Sequence, residues 1–411
     1  MASETDTSAG ARATLRAPRL DWTLALWVLL AVVLVFLVAG PISRLFIDSF
    51  SDQKTGGFTL QNFVDAAGRS RYITAYINTL QLGAATVGLS LLMALPMAWA
   101  VSRTDIAGRN MFFLGVIGAF IMPPFLGAIG WILLAGPNAG WLNVAWRALS
   151  GSEGELFDIF SFWGLSFVIA LSVFPLIFIF ATSALDLISS EMEEAAAIHG
   201  AGPMRATWAV TLPLALPAIM GASILVFLET MALYGTPALI AIPARYNVVT
   251  TQLTAFFQYP AKIELAMAFS MPLVLVTVLL LIGQRLLIRG GHVAVSGKGG
   301  SRQPLDIGRW RWVLFAHGAF VTLLAVVLPA LMLLTTSLSV AWARAPTFSN
   351  LTLDNYRSIL FEQATVRDAM VNTIAYSLAA ATVCTFLGFV TAYLVMRKLL
   401  PYVQILAFIA V

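Results

Sequence analysis

The sequence predicts an all-α protein that crosses a membrane several times. Of its 411 residues, 59% are hydrophobic and 11% charged, with a mean hydropathy of +0.87; about a quarter of an average soluble domain is charged. Apolar runs close to the ~20 residues that carry a helix across a bilayer recur along the whole chain. The alternating ~10-residue segments of a membrane barrel are not seen in it. Helices that satisfy their own backbone hydrogen bonds in lipid are therefore expected.

The first element is a polar segment, 1–21, carrying Arg12, Arg16 and Arg19. The apolar run behind it lacks a small-residue cleavage site, so it reads as an uncleaved first helix over 22–47 with the N-terminus in the cytoplasm. Helices over 73–102, 111–135, 157–182, 214–236 and 263–284 complete a first half of about six spans, 22–288. Pro123, Pro124 and Pro175 lie inside these runs and are expected to bend them, since proline removes a helical donor. Two more helices are expected over 312–339 and 371–396, and a ninth begins near Leu399.

Between the halves lies 289–311, from Arg289 through Lys298 and Arg302, with the glycine-rich, basic composition of a flexible cytoplasmic linker. Its glycine run has no Gly-Lys-Ser/Thr ending and no strand before it, which excludes a phosphate-cradling loop.

An internal repeat supports the division. Thr59-Leu60-Gln61-Asn62-Phe63 is echoed by Thr352-Leu353-Asp354-Asn355-Tyr356. Asn78-Thr79-Leu80, Ala98-Trp99 and Arg103 return as Asn372-Thr373-Ile374, Ala392-Tyr393 and Arg397 at a constant offset of 294. The expected architecture is a six-helix core followed, over 312–411, by the start of a duplicated half. The same offset places a counterpart of Glu194 near 488, past Val411, so only two helices and part of a third of the second half are expected.

The net charge of +4 and pI near 9.3 come from basic residues scattered over loops, with arginine making up 20 of the 24 cations. Fourteen of them fall on the side assigned to the cytoplasm. They read as topology signals, with lipid as the partner and no nucleic acid. The lone Cys384 allows no disulfide within the chain, and His199, His292 and His317 fall in separate segments, so no metal site is expected. With no Ser-His-Asp set, no His-Glu-x-x-His and no Walker lysine, no catalytic residue and no bound cofactor are expected.

One polar loop, 183–213, stands out. Glu193 and Glu194 suit the positive end of a short helix, Ala195, Ala196 and Ala197 are helix formers of little bulk, and Gly200 can end that helix in a left-handed conformation. After Ala201-Gly202-Pro203 a second short helix can begin, and Leu212-Pro213 marks the start of the next membrane span. The result is a helix, turn, helix elbow.

Glu194-Ala195-Ala196, with Gly200 six positions on and Val210-x-Leu212-Pro213 closing nineteen on, resembles the cytoplasmic signature of binding-protein-dependent ABC importer permeases; Val210 stands where isoleucine is common. The resemblance implies that the elbow, with Glu194, Ala195, Ala196 and Gly200 at the docking positions, sits in a groove of a separate ATP-binding cassette subunit. ATP and Mg²⁺ would belong to that subunit, and a periplasmic or surface-held solute-binding protein would deliver substrate to a multi-pass permease of the bacterial inner membrane. Leu228-Glu229-Thr230, Tyr234-Gly235-Thr236-Pro237 and the stretch Val295 to Gly300 are similar to the ferric-iron permeases of this class, which implies iron(III). Polyamine, phosphonate, thiamine or sulfate would suit the same class. An ion-gradient-driven secondary transporter is the alternative from another class.

Glu229 falls inside the run 214–236, where a charge at the bilayer centre costs about 2.5–3.5 kcal/mol on insertion scales. It reads either as a pathway or gate residue or as a carboxyl hydrogen-bonded between packed helices. Tyr234, Gly235 and Pro237 break the helix and either shape an outer gate or simply end the span.

Overall fold

The computed structural model describes residues 28–290 apart from 30 and 34, then 304–342 and 348–397. The segment 1–21, most of the linker and the run from Leu399 lie outside the described residues. The chain divides into two packing units, 46–362 and the pair 1–45 with 363–411.

The second of these contains most of α1, Ala31–Ser49, and α14, Ala364–Arg397. No described side chain of α14 or of the 31–45 part of α1 is buried.

In the larger unit, 46–362, α2 (Gln61–Gly68) leads into α3 (Ser70–Arg103), which packs on α7 (Phe162–Leu187) along much of its length. α3 carries a buried stripe of mostly small residues, Ala75, Thr79, Leu82, Gly83, Thr86, Ser90, Ala94 and Ala98, which lets its neighbours approach closely. In lipid, small residues at helical spacing let backbones approach where the hydrophobic effect offers no attraction. α9, Met204–Ala232, lies against both, with the Phe227 ring seated over Gly83. A Cβ built on Gly83 would stand 2.7 Å from that ring.

The apolar run expected as one span over 111–135 is two helices, α4 (Arg109–Ile121) and α5 (Pro124–Ala135), turned by 99°. Met122 and Pro123 are extended, and Pro124 takes the first helical position where its missing N–H costs nothing. Neither piece, at 13 and 12 residues, reaches across a ~30 Å core alone.

A short α6, Trp141–Ser150, precedes α7; beyond α9 come α10 (Gly235–Ile240), α11 (Val249–Phe256) and α12 (Ile263–Gly290). Next comes α13, Trp310–Ser337, which packs on α3 and, through glycines, on α4 and α5: Gly115 faces Thr322, Gly318 faces Phe112, and Gly130 faces Pro329. The helix expected to open the second half thus packs with the first, because glycine-rich composition does not by itself mark the edge of a packing unit. The repeat itself is realised in helix length: α3 and α14 are both 34 residues long, Ser70–Arg103 and Ala364–Arg397.

Candidate docking site

α8, Ser190–Ile198, follows directly on α7. The Ser189 hydroxyl accepts the Glu191 N–H at 3.2 Å, and Glu191 and Glu193 occupy the first turn, where the helix dipole favours negative charge. At the other end Gly200 has φ +80°, and the Ala201 N–H reaches back to the Ala196 carbonyl at 3.0 Å. This six-to-one bond closes a Schellman cap. His199 also turns inward on the helix, its Nδ1–H donating to the Ala195 carbonyl at 2.8 Å.

The elbow was expected to contain a second helix separate from the following span. Instead α9 runs without a break from Met204, and Leu212-Pro213 lies within it. The turn Thr207–Thr211 is π-helical, the Leu212 N–H bonding to the Thr207 carbonyl, and this wider turn takes up the proline that follows. α13 repeats the device, with a π-helical turn at Leu323–Val327 ahead of Leu328-Pro329.

Ala195, Gly200 and Gly202 are exposed, Ala196, Ala201 and Leu212 partly so, and Pro213 is exposed; the Glu194 side chain lies outside the described part of the structure. With Ile198, Met204 and Trp208, which are 85%, 56% and 65% exposed, the elbow offers a small-residue and apolar face. Glu193 points the other way. Its Oε1 accepts the Thr211 hydroxyl at 2.6 Å and lies 3.2 Å from Nε of Arg103, whose side chain is 1% exposed at the end of α3. Burial pushes the Glu193 carboxyl above the usual range, and the Thr211 hydrogen bond opposes that rise.

Arg103 is the residue that sequence reasoning missed. As a cation at the end of an apolar run it registers as a topology marker; the signal that could have singled it out is its return as Arg397. Its backbone carbonyl accepts the Leu305 N–H at 2.9 Å, and Thr104 and Leu305 pair as an isolated bridge. Arg311 reaches Asp105 at 3.7 Å. The chain leading into α13 is thereby fixed to the same end of α3.

Beside the elbow a cavity of about 1160 Å³ runs between α3, α9 and α13. It is apolar, with Trp99, Trp163, Trp208 and Trp310 along it and Asp306 among its few polar residues. Trp99 Nε1–H donates to the Thr207 hydroxyl at 3.1 Å, tying the π-helical turn to α3.

The residues considered for a gate lie at the opposite end of α9. The helix ends at Ala232, short of the expected 236, which leaves Glu229 in the last turn, exposed, with its carbonyl accepting the Leu233 N–H at 3.0 Å. Tyr234 is exposed, Gly235 lies against Phe125 of α5, and Pro237 is buried in α10. The structure thus separates the elbow set from the Glu229, Tyr234, Gly235 and Pro237 set by the length of one helix. Among the described residues, no three His, Cys, Asp or Glu side chains gather as metal ligands do.

Seven described helices are long and apolar enough to cross a membrane, and the bent pair α4–α5 passes the same test jointly. A chain with these helices is a multi-pass, all-α membrane protein, and the exposed helical elbow lies between two of its spans.

No protein-family profile matches the chain. Over 382 residues it is 26% identical to the ferric transport system permease protein FbpB of Actinobacillus pleuropneumoniae, covering 90% of this chain and 53% of that protein. It is 30% identical over 224 residues to the putative 2-aminoethylphosphonate transport system permease protein PhnU of Salmonella paratyphi A, covering 54% of this chain and 76% of that one. The chain spans about half the length of the ferric relatives it matches. In fold it is similar to a chain in the crystal structure of a bacterial alginate ABC transporter in complex with an alginate pentasaccharide-bound periplasmic protein. The TM-score is 0.54 at 17% identity, over 66% of this chain and 96% of that chain. The chain belongs to the permease family of binding-protein-dependent ABC importers.

Proposed function

We propose that this permease forms the solute pathway of an ATP-driven importer, that separate ATP-binding subunits dock on the elbow 190–213 from the cytoplasm, and that its substrate is iron(III) handed over by a periplasmic or surface-held binding protein. The observation that carries the docking reading is the elbow itself: Ala195, Gly200 and Ile198 face outward on a helix whose inner side is fixed to α3 by Glu193 and Arg103. Small exposed residues on a rigid base admit a groove closely, which is what a part that receives force from another subunit needs. The iron reading is supported by relatives aligned over 90% of the chain that are named ferric transport permeases.

Phosphonate transport is the second reading, since the relative named for 2-aminoethylphosphonate matches at higher identity over 54% of the chain. Glu229 and the Tyr234-Gly235-Pro237 break belong to the outer gate in this scheme. ATP and Mg²⁺ are held by the partner.

The test is uptake into vesicles holding the full-length protein with its ATP-binding subunit and binding protein, using radioactive iron(III), 2-aminoethylphosphonate and sn-glycerol-3-phosphate. ATP-dependent uptake of iron alone is expected. Uptake of phosphonate instead overturns the substrate, and uptake that follows an ion gradient without ATP overturns the importer. Gly200→Pro and Glu194→Lys are expected to abolish ATP-driven uptake with insertion intact.

A further inference from the structure

Four segments meet at the end of α3. Arg103 supplies α3 itself, Glu193 supplies α8, Thr211 supplies the π-helical turn of α9, and Leu305 supplies the chain entering α13. The guanidinium is almost wholly buried, and Nη1 and Nη2 find no hydrogen-bond partner among the described residues. Nε lies within ion-pair distance of Glu193 Oε1 but outside hydrogen-bond alignment. An arginine stays charged at any working pH, and a buried charge is tolerated only with a counter-charge. Glu193 is the carboxylate that the structure sets against it.

We infer that Arg103 is a positioning residue for transport: through Glu193 and Thr211 its guanidinium ties the docking helix α8 to α3, so that a push on the elbow is delivered to α3 instead of being absorbed in the loop. This rests on the docking reading above. The physical ground is that α8 is short and its described inner-face carboxylate is anchored at Arg103 and Thr211. It is nine residues long, its outer face is exposed, and it contacts the rest of the chain chiefly through α9. An isolated helix of that length is not stable in water, so its position is set by what its inner face meets. On that face one carboxylate oxygen of Glu193 meets both Arg103 and Thr211.

The test uses the full-length permease in lipid nanodiscs with its ATP-binding subunit, with Cys384 replaced by alanine and spin labels at the exposed positions Ala107 and Ala195. A narrow distance distribution is expected for the parent. Arg103→Met is expected to broaden it at least twofold and Arg103→Lys less, because lysine keeps the charge and loses the planar fork. In parallel, uptake per ATP hydrolysed is expected to fall at least tenfold in Arg103→Met while the ATP-binding subunit stays bound. If Arg103→Met fails to insert, Thr211→Val, which removes the hydroxyl on Glu193, carries the same two measurements. An unchanged distribution in the variant, or uptake per ATP within twofold of the parent, overturns the inference. Gly200→Pro separates the two readings: full binding of the ATP-binding subunit by that variant sinks docking, while the distances still report on the tie.

Discussion

Asn62 and Asn355 do the same job at two places in the chain. Asn62 Nδ2 donates to the carbonyls of Ser49 and Ser51 at 3.1 and 2.9 Å; Asn355 Nδ2 donates to those of Ser337 and Ser339 at 3.1 and 3.0 Å. Ahead of each, a threonine hydroxyl accepts the backbone N–H two residues on, Thr59 from Gln61 and Thr352 from Asp354. The repeat is thus a repeat of hydrogen bonds. Asn62→Ala or Asn355→Ala is expected to cost about 1 kcal/mol or more each, since each removes two hydrogen bonds, most of them part-buried. The two share no partner, so thermal unfolding in detergent should give a double variant equal to the sum within ~0.5 kcal/mol.

Gly115 and Gly318 hold α13 against α4 by mutual indentation, since a Cβ at the first would overlap Thr322 and a Cβ at the second would overlap Phe112. Gly318→Ala is expected to destabilise by about 1–3 kcal/mol, the cost of overpacking. Gly283→Ala is the control: nothing stands within 4 Å of its Cβ, so the helix gains up to ~1 kcal/mol from propensity alone. Midpoints of thermal unfolding that move the same way for both would contradict this packing.

Gly200 is different in kind, because a Cβ there meets nothing within 4 Å and its φ is +80°. The cost of Gly200→Ala is therefore conformational, about 1–2 kcal/mol. Asparagine tolerates this backbone better and should be milder. Amide exchange at Ala201, whose N–H closes the cap, should quicken in the order Gly, Asn, Ala.

Asp52 gives a pH signature. Its Oδ1 accepts the N–H groups of Thr55 and Lys54 and the Thr55 hydroxyl, and these bonds hold its carboxyl below the ordinary value of 3.8. A depressed pKa means that the group supports the turn above 3.8 and that this support is lost as pH falls through the lower folded value. Amide exchange at Lys54 and Thr55, corrected for intrinsic rates, should accelerate on acidification through that window. In Asp52→Asn that step should vanish.

Hydropathy found α3 and α7 because both are long, continuous and apolar; the expected 73–102 is Ser70–Arg103, while the expected 157–182 is Phe162–Leu187, displaced by five residues at each end. It failed at 111–135, since a window average cannot tell a straight run from one turned by 99°, and only the adjacent Pro123 and Pro124 carried that information. At the other end of α9, Leu233 and Tyr234 are apolar enough to extend the expected span past its true end at Ala232, which is why Glu229 looked deeper than it is. In the elbow, the cap at Gly200 was legible because left-handed backbone favours glycine. The π-helical turn before Leu212-Pro213 was not, since nothing in residue type distinguishes it from an ordinary helical turn. The partnership of Arg103 and Glu193 spans four intervening helices, α4 to α7, and no local pattern encodes it.

The length of α3 has a mechanical meaning. Its 34 residues make a rod about 51 Å long, some 20 Å more than the hydrocarbon layer is thick. Pivoted at one end, such a rod converts a tilt of about 5° into about 4 Å of travel at the other, at 1.5 Å rise per residue. Tyr72, in its first turn, is clamped among Phe256 and Phe269 with rings 5.2 and 5.5 Å away, so the far end is gripped by aromatic packing just as the near end is gripped by charge. A small angular displacement at Arg103 is thus amplified across the membrane and arrives at that aromatic cluster as a movement comparable to the width of a side chain.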